Sequence, residues 1–156
     1  MHTYRFIGLD AAQFEPLFEL TDDELSRMGA RRSFADESPG FPCRVSLEDA
    51  EVGDELLLLP FEHQAAVSPY RASGPIFVRR GARQRTLDAA DLPPYVSRRL
   101  MSVRAYDATH MMIDAAVCEG RLVGTEIERQ LSAESVAYIH LHNAKRGCFS
   151  CRVERT

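Results

Sequence analysis

Apolar and polar positions alternate with a period of two along much of the chain, and the spacing turns helical in a few short stretches. Tyr4, Phe6 and Gly8 alternate with Arg5 and Ile7, predicting a strand over residues 3–9. Phe14, Leu17 and Phe18 predict a helical region with Pro16 in its first turn, where a missing N–H costs least. Thr21-Asp22-Asp23-Glu24 is a capping box, flanked by Leu20 and Leu25 as a hydrophobic staple and stopped by Gly29, so residues 22–28 are read as a helix.

Strand spacing then dominates. Cys43, Val45 and Leu47 alternate with Arg44 and Ser46, predicting a half-buried strand, whereas Leu56 to Leu59 is apolar on both faces and predicts a covered central strand. Ile76-Phe77-Val78 is a further strand. Asp91 is placed to cap a short helix opening on Pro93 and Pro94. Leu100–Tyr106 and His110–Cys118 read as paired strands around Asp107-Ala108-Thr109. A second capping box, Thr125 to Glu128, opens a helix to about residue 133. Val136–His142 and Cys148–Glu154 close the chain as a hairpin. Several antiparallel strands with three or four short helices predict an α+β fold, mainly antiparallel sheet with a central apolar strand. No repeat, linker or low-complexity tract divides residues 1–156, which are read as a single domain.

Composition narrows the class. With 45% apolar and 27% charged residues over 156 positions, the chain excludes disorder, collagen, coiled coils and disulfide-dense mini-proteins. The longest apolar run, Leu56 to Phe61, is far below the roughly 20 residues of a membrane span. With no export signal at the N-terminus, the four cysteines are expected as free thiols in a reducing cytoplasm. The net charge of −4 is unevenly spread: −9 over residues 1–62, +6 over 63–106 and −1 over 107–156. Arg79, Arg80, Arg83 and Arg85 form the densest basic cluster. No aromatic residues interleave with them and the whole chain is acidic, so nucleic acid is not an expected partner.

Two constellations could carry chemistry. In the C-terminal hairpin, a connection over Asn143–Gly147 sets His142 opposite Cys148 and His140 opposite Ser150. Leu141, Ile139 and Ala137 then face Phe149, Cys151 and Val153 on an apolar side. The other side carries Tyr138, His140, His142, Cys148, Ser150 and Arg152, read as a solvated or loop-covered face. Cys148 and Cys151 lie three apart on a strand and point to opposite sides, so they do not share a metal unless a turn intervenes, which disfavours a four-ligand zinc site. His140, His142 and Cys148 remain open as a three-ligand set, but no metal or other cofactor is assigned. The second constellation is the segment from His63 to Pro75, which keeps neither period and is read as a loop leaving the central strand.

Pro39-Gly40-Phe41-Pro42-Cys43-Arg44, the stretch Ser68 to Arg79, and His142-Asn143 with Gly147-Cys148 and Arg152-Val153 together resemble a family of bacterial proteins of about this length, domain of unknown function twelve-hundred-and-three. The resemblance covers nearly the whole chain and implies a bacterial single-domain protein. It brings no reaction, ligand or catalytic residue.

On the residues themselves, the leading expectation is a cytoplasmic protein that binds, or acts on, a small anionic ligand. Its site would be built from His63, Tyr70, Arg71, Ser73, His140 and His142. Arg71 would hold the anion, and one histidine would move a proton near neutral pH. The alternative is a non-catalytic module recruiting an acidic partner through the arginine-rich segment 71–104. Neither reading sets an oligomeric state or decides whether the protein is an enzyme.

Overall fold

The computed structural model describes residues 1–156. Eleven strands form two sheets. The first sheet has six strands in the order β7 (Thr86–Asp88), β1 (Tyr4–Ile7), β11 (Phe149–Arg155), β10 (Tyr138–Asn143), β8 (Leu100–Tyr106), β9 (Met112–Glu119). The second has five, β2 (Arg31–Phe34), β5 (Glu55–Gln64), β6 (Ala72–Arg79), β3 (Pro42–Cys43), β4 (Glu48–Asp49), and only β3 with β6 runs parallel. The expected apolar strand is therefore real but belongs to the second sheet, between β2 and β6. The α+β class holds, with α1 (Asp22–Arg27), α2 (Pro94–Ser97), α3 (Val123–Leu131) and three short 3-10 turns.

Local chemistry accounts for most element ends. Thr21 Oγ1 accepts from the Glu24 N–H while the Glu24 carboxylate accepts from the Thr21 N–H, completing the predicted box at α1. Gly29 ends that helix at φ +79°, a conformation that favours glycine. The other two helix starts differ from expectation. α2 has Pro93 rather than Asp91 at its N-cap position, with no side-chain cap, and α3 begins at Val123, so Thr125 lies inside it. The chain reaches α3 through a 3-10 turn at Gly120, packed so tightly that a Cβ there would run into the carbonyl oxygens of Val96 and Arg99. That contact anchors the α2–β8 corner.

The alternation over residues 43–47 does not form a strand. After Cys43 the chain turns, with Leu47 at φ +59°, and Arg44, Val45, Ser46 and Leu47 are all buried. Likewise β5 runs on through Pro60 to Gln64, and β6 begins at Ala72. Only residues 65–71 of the predicted loop lie outside strands.

The interior has two main parts. A 16-residue core packs one face of the first sheet, through Val103, Ile139, Leu141, Cys151 and Val153, under α2 and α3. A 12-residue core packs one face of the second sheet, through Leu57, Leu59, Ile76 and Val78, against Phe14, Phe18 and Leu25, and takes in Phe149 from the first sheet. Phe149 reaches this second core because the C-terminal hairpin is bulged. Ile139 pairs with Val153 and Leu141 with Cys151, but His142 pairs with Phe149, so the extra residue turns Phe149 to the histidine side. None of the five expected pairs survives: Leu141–Phe149, His142–Cys148, His140–Ser150, Ile139–Cys151 and Ala137–Val153 are all replaced by this register. No helix is long and apolar enough to cross a membrane.

Candidate functional site

β5 and β10 bring part of the predicted site together. The His63 ring centroid lies 4.8 Å from His142 and 6.3 Å from His140, and His63 stacks on Phe149 at 5.5 Å with planes 9° apart. Tyr70 meets Tyr106 at 6.1 Å, and Tyr106 stacks on Tyr138 and abuts His140 at 5.1 Å. Gln64 Nε2 donates to Tyr138 Oη (2.9 Å), which leaves the phenol proton for His110 Nδ1 at 2.8 Å. The polar side of the hairpin is thus not solvated. The second sheet covers it, leaving His140 and His142 only 2% and 1% exposed.

Arg71 and Ser73 stand outside this cluster. Arg71 makes a bidentate pair with Glu62 at 3.1 and 3.3 Å, and both side chains are largely exposed. Ser73 lines an open groove with Gly29, Arg31 and Pro60. Exposed pairs of this kind contribute little, so Arg71→Ala is expected to change unfolding free energy by no more than about 0.5 kcal/mol in a denaturant melt. A loss of several kcal/mol would mean the pair is buried in solution.

Burial decides the protonation of the cluster. Desolvation, with the Arg152 charge next in weight, pulls His140 down to about 2, and desolvation together with Arg104 pulls His142 down to about 3. His63 is lowered by the same two causes, burial and Arg104. His142 Nδ1 lies 2.9 Å from the Gly147 carbonyl and donates to it, while Nε2, like Nδ1 of His63 and His140, has no partner. His140 and His142 are therefore neutral at pH 7, and His63 is shifted in the same direction. No group of three or more His, Cys, Asp or Glu side chains is placed to hold a metal ion, so the set His140, His142 and Cys148 is not assembled.

The more open constellation lies beside the cluster, at the hairpin end. A cleft of about 310 Å³ is walled by Arg44, Arg99, Asn143, Arg146 and Cys148, with Gly40, Pro42 and Pro75–Phe77 among its other lining residues. It is contiguous, through Arg99, Asn143 and Arg146, with a second hollow of about 300 Å³ that adds Arg98 and Lys145. Much of this wall comes from the three stretches that carry the family resemblance. Two carboxylates lie close: Asp49, paired with Arg98 and Arg99, and Glu37, which covers Gly40 and touches no cation within 4 Å. Lys145 and Arg146 are exposed and have no carboxylate partner.

Arg44 is the unusual member. It is 2% exposed and forms no salt bridge; Nε donates to the Phe149 carbonyl (2.8 Å), Nη1 to the Pro42 carbonyl (2.6 Å) and Nη2 to Cys148 Sγ (3.5 Å). These bonds use three of the five guanidinium N–H groups, so two have no acceptor in the protein. Asn143 Nδ2 donates to the same sulfur at 3.4 Å, and its Oδ1 is buried without a partner. Sequence reasoning missed Arg44, Arg99, Asn143 and Arg146. Alternation places Arg44 on an outward strand position, and the hairpin connection carries no signal beyond that of a turn.

The arginine-rich segment is largely neutralised. Arg71, Arg79, Arg80, Arg85, Arg98 and Arg99 each reach a carboxylate from the acidic first third, leaving Arg83 and Arg104 without one. That pairing leaves little free charge for recruiting an acidic partner through residues 71–104.

No curated protein and no solved structure matches the chain. A family model does, over residues 40–155, a span that includes every cleft residue named above. The chain belongs to the family described as protein of unknown function (DUF1203).

Proposed function

We propose that the protein binds a small molecule through its anionic group, in the cleft between Arg44, Arg99 and Arg146. The observation that carries this reading is Arg44, a buried guanidinium with no carboxylate and two N–H groups without acceptors. Withdrawing a cation from water is costly unless it is matched, and an anion entering the cleft would match it. Guanidinium forks suit the paired oxygens of carboxylate or phosphate. Asn143 Oδ1 offers an acceptor to a ligand hydroxyl. His63, His140 and His142 line neither hollow, and this reading gives them no part in binding.

Inorganic phosphate is a sufficient probe, since anything bound to the folded state alone raises its melting temperature. Phosphate should stabilise the protein beyond chloride of equal ionic strength, and Arg146→Ala, an exposed change, should remove the difference. Equal stabilisation of both proteins, or none of either, would overturn the reading.

A further inference from the structure

Among the four cysteines, only Cys118 and Cys148 are partly exposed; Cys43 and Cys151 are buried. Burial pushes the Cys151 thiol up to about 12, which makes it inert at neutral pH. Cys148 lines the basic cleft, and its sulfur accepts from both the Arg44 guanidinium and the Asn143 amide. Cys118 has the opposite surroundings. It lies on edge strand β9, where burial and the Glu126 carboxylate both push its thiol up. The fold thus carries two accessible thiols in fields of opposite sign.

We infer that Cys148 is the nucleophile of the basic cleft, directed to electrophiles that carry a carboxylate or phosphate. The inference rests on the anion-binding reading above and adds the reacting atom. Arg146, which has no carboxylate partner, holds the anionic group, and the Arg44 N–H groups without acceptors lie beside the sulfur on the same wall. The Cys148 thiol gives its proton to solvent, its sulfur attacks the electrophilic carbon, and a C–S bond forms. The leaving group departs with the electron pair of the bond that breaks. Selectivity comes from the field of the cleft, which concentrates anions where the sulfur stands.

Iodoacetate and iodoacetamide deliver the same carbon and expel the same iodide, but only the first carries a charge. The ratio of their alkylation rates at one sulfur cancels that sulfur's thiolate fraction, and peptide mass spectrometry reads both sites in one unmodified protein. The iodoacetate-to-iodoacetamide ratio at Cys148 should exceed that at Cys118 by about tenfold or more, within the range charged clefts give to anion encounter. It should shrink at high salt and in Arg146→Ala. Inorganic phosphate should protect Cys148 and not Cys118. Equal ratios at the two sites, or a Cys148 that neither reagent modifies, would overturn the inference. If phosphate still stabilises the protein in that case, the binding reading stands and only the nucleophile falls. If phosphate neither stabilises nor protects, both fall.

Discussion

Lowering the pH from 7 to 5 is expected to remove about 4 kcal/mol of folding stability, through His140 and His142 alone. In the unfolded chain both take up protons around their ordinary value of 6.5, whereas folding lowers them to about 2 and about 3. The sign follows from which state binds the protons. Above pH 7 neither state holds them and stability is complete. As pH falls through 6.5 the unfolded state gains protons that the folded state refuses, so stability falls, and it goes on falling until the folded values near 3 and 2 are reached. With folded values this low, the loss down to pH 5 depends only on the unfolded value. It amounts to about 1.4 kcal/mol per pH unit for each histidine once pH is well below 6.5. His63, lowered in the same direction, adds to the loss. Urea melts at half-unit intervals between pH 7 and 5 measure the slope. His142→Asn, which keeps a donor for the Gly147 carbonyl, should flatten it by the share of one proton. A wild-type slope below one proton would mean that the second sheet does not cover these rings in solution.

Arg44→Met is expected to destabilise the protein by about 2–5 kcal/mol, although it relieves a buried charge. The guanidinium is the donor to the buried Phe149 carbonyl and a second donor to the Pro42 carbonyl beside its β3–β6 ladder bond, and a thioether replaces neither. Each stranded acceptor costs on the order of 1–3 kcal/mol, while the methionine chain restores much of the lost packing. Arg44→Lys should fall between the two, since one ammonium cannot span three acceptors in different directions. Chemical denaturation of the three proteins at pH 7.5 gives the ranking. A methionine variant as stable as the parent would mean that Arg44 does not tie the turn after β3 to the hairpin.

Elements set by local chemistry could be read from the chain before its structure. The capping box at Thr21, the turn at Gly29, the apolar run at Leu56 and the closing hairpin each depend on residues within a few positions of one another. What could not be read depends on the second sheet. Arg44 and Ser46 look solvent-facing beside Cys43 and Val45, and only the packing of a turn between layers buries them. His140 and His142 look like the wet side of a hairpin because Ile139 and Leu141 alternate with them. A usable signal was present: residues 136–143 carry no formal charge, as suits a strand covered on both faces. His63 was placed in the same proposed site as His140 and His142, and these three do meet. Arg71 was grouped with them on chain proximity, and the nearer Glu62 holds it instead. The cleft itself joins residues about 100 positions apart, Arg44 with Asn143 and Cys148, a juxtaposition that no local pattern encodes.

The bulge in the last hairpin also keys the strand against sliding. A regular strand shifted by two residues keeps each side chain on its own side and forfeits little besides its end pairs. Here Phe149 and Cys151, two positions apart, are delivered to different interiors, one between the sheets and one beneath the helices. A two-residue slip would carry Phe149 away from the histidines it meets and bring the wrong side chain to each compartment. Strand exchange between copies of the chain would face the same mismatch unless the turn came with it. The irregularity in β11 thus works as a lock on alignment, at the terminal strand, where chains most often fray.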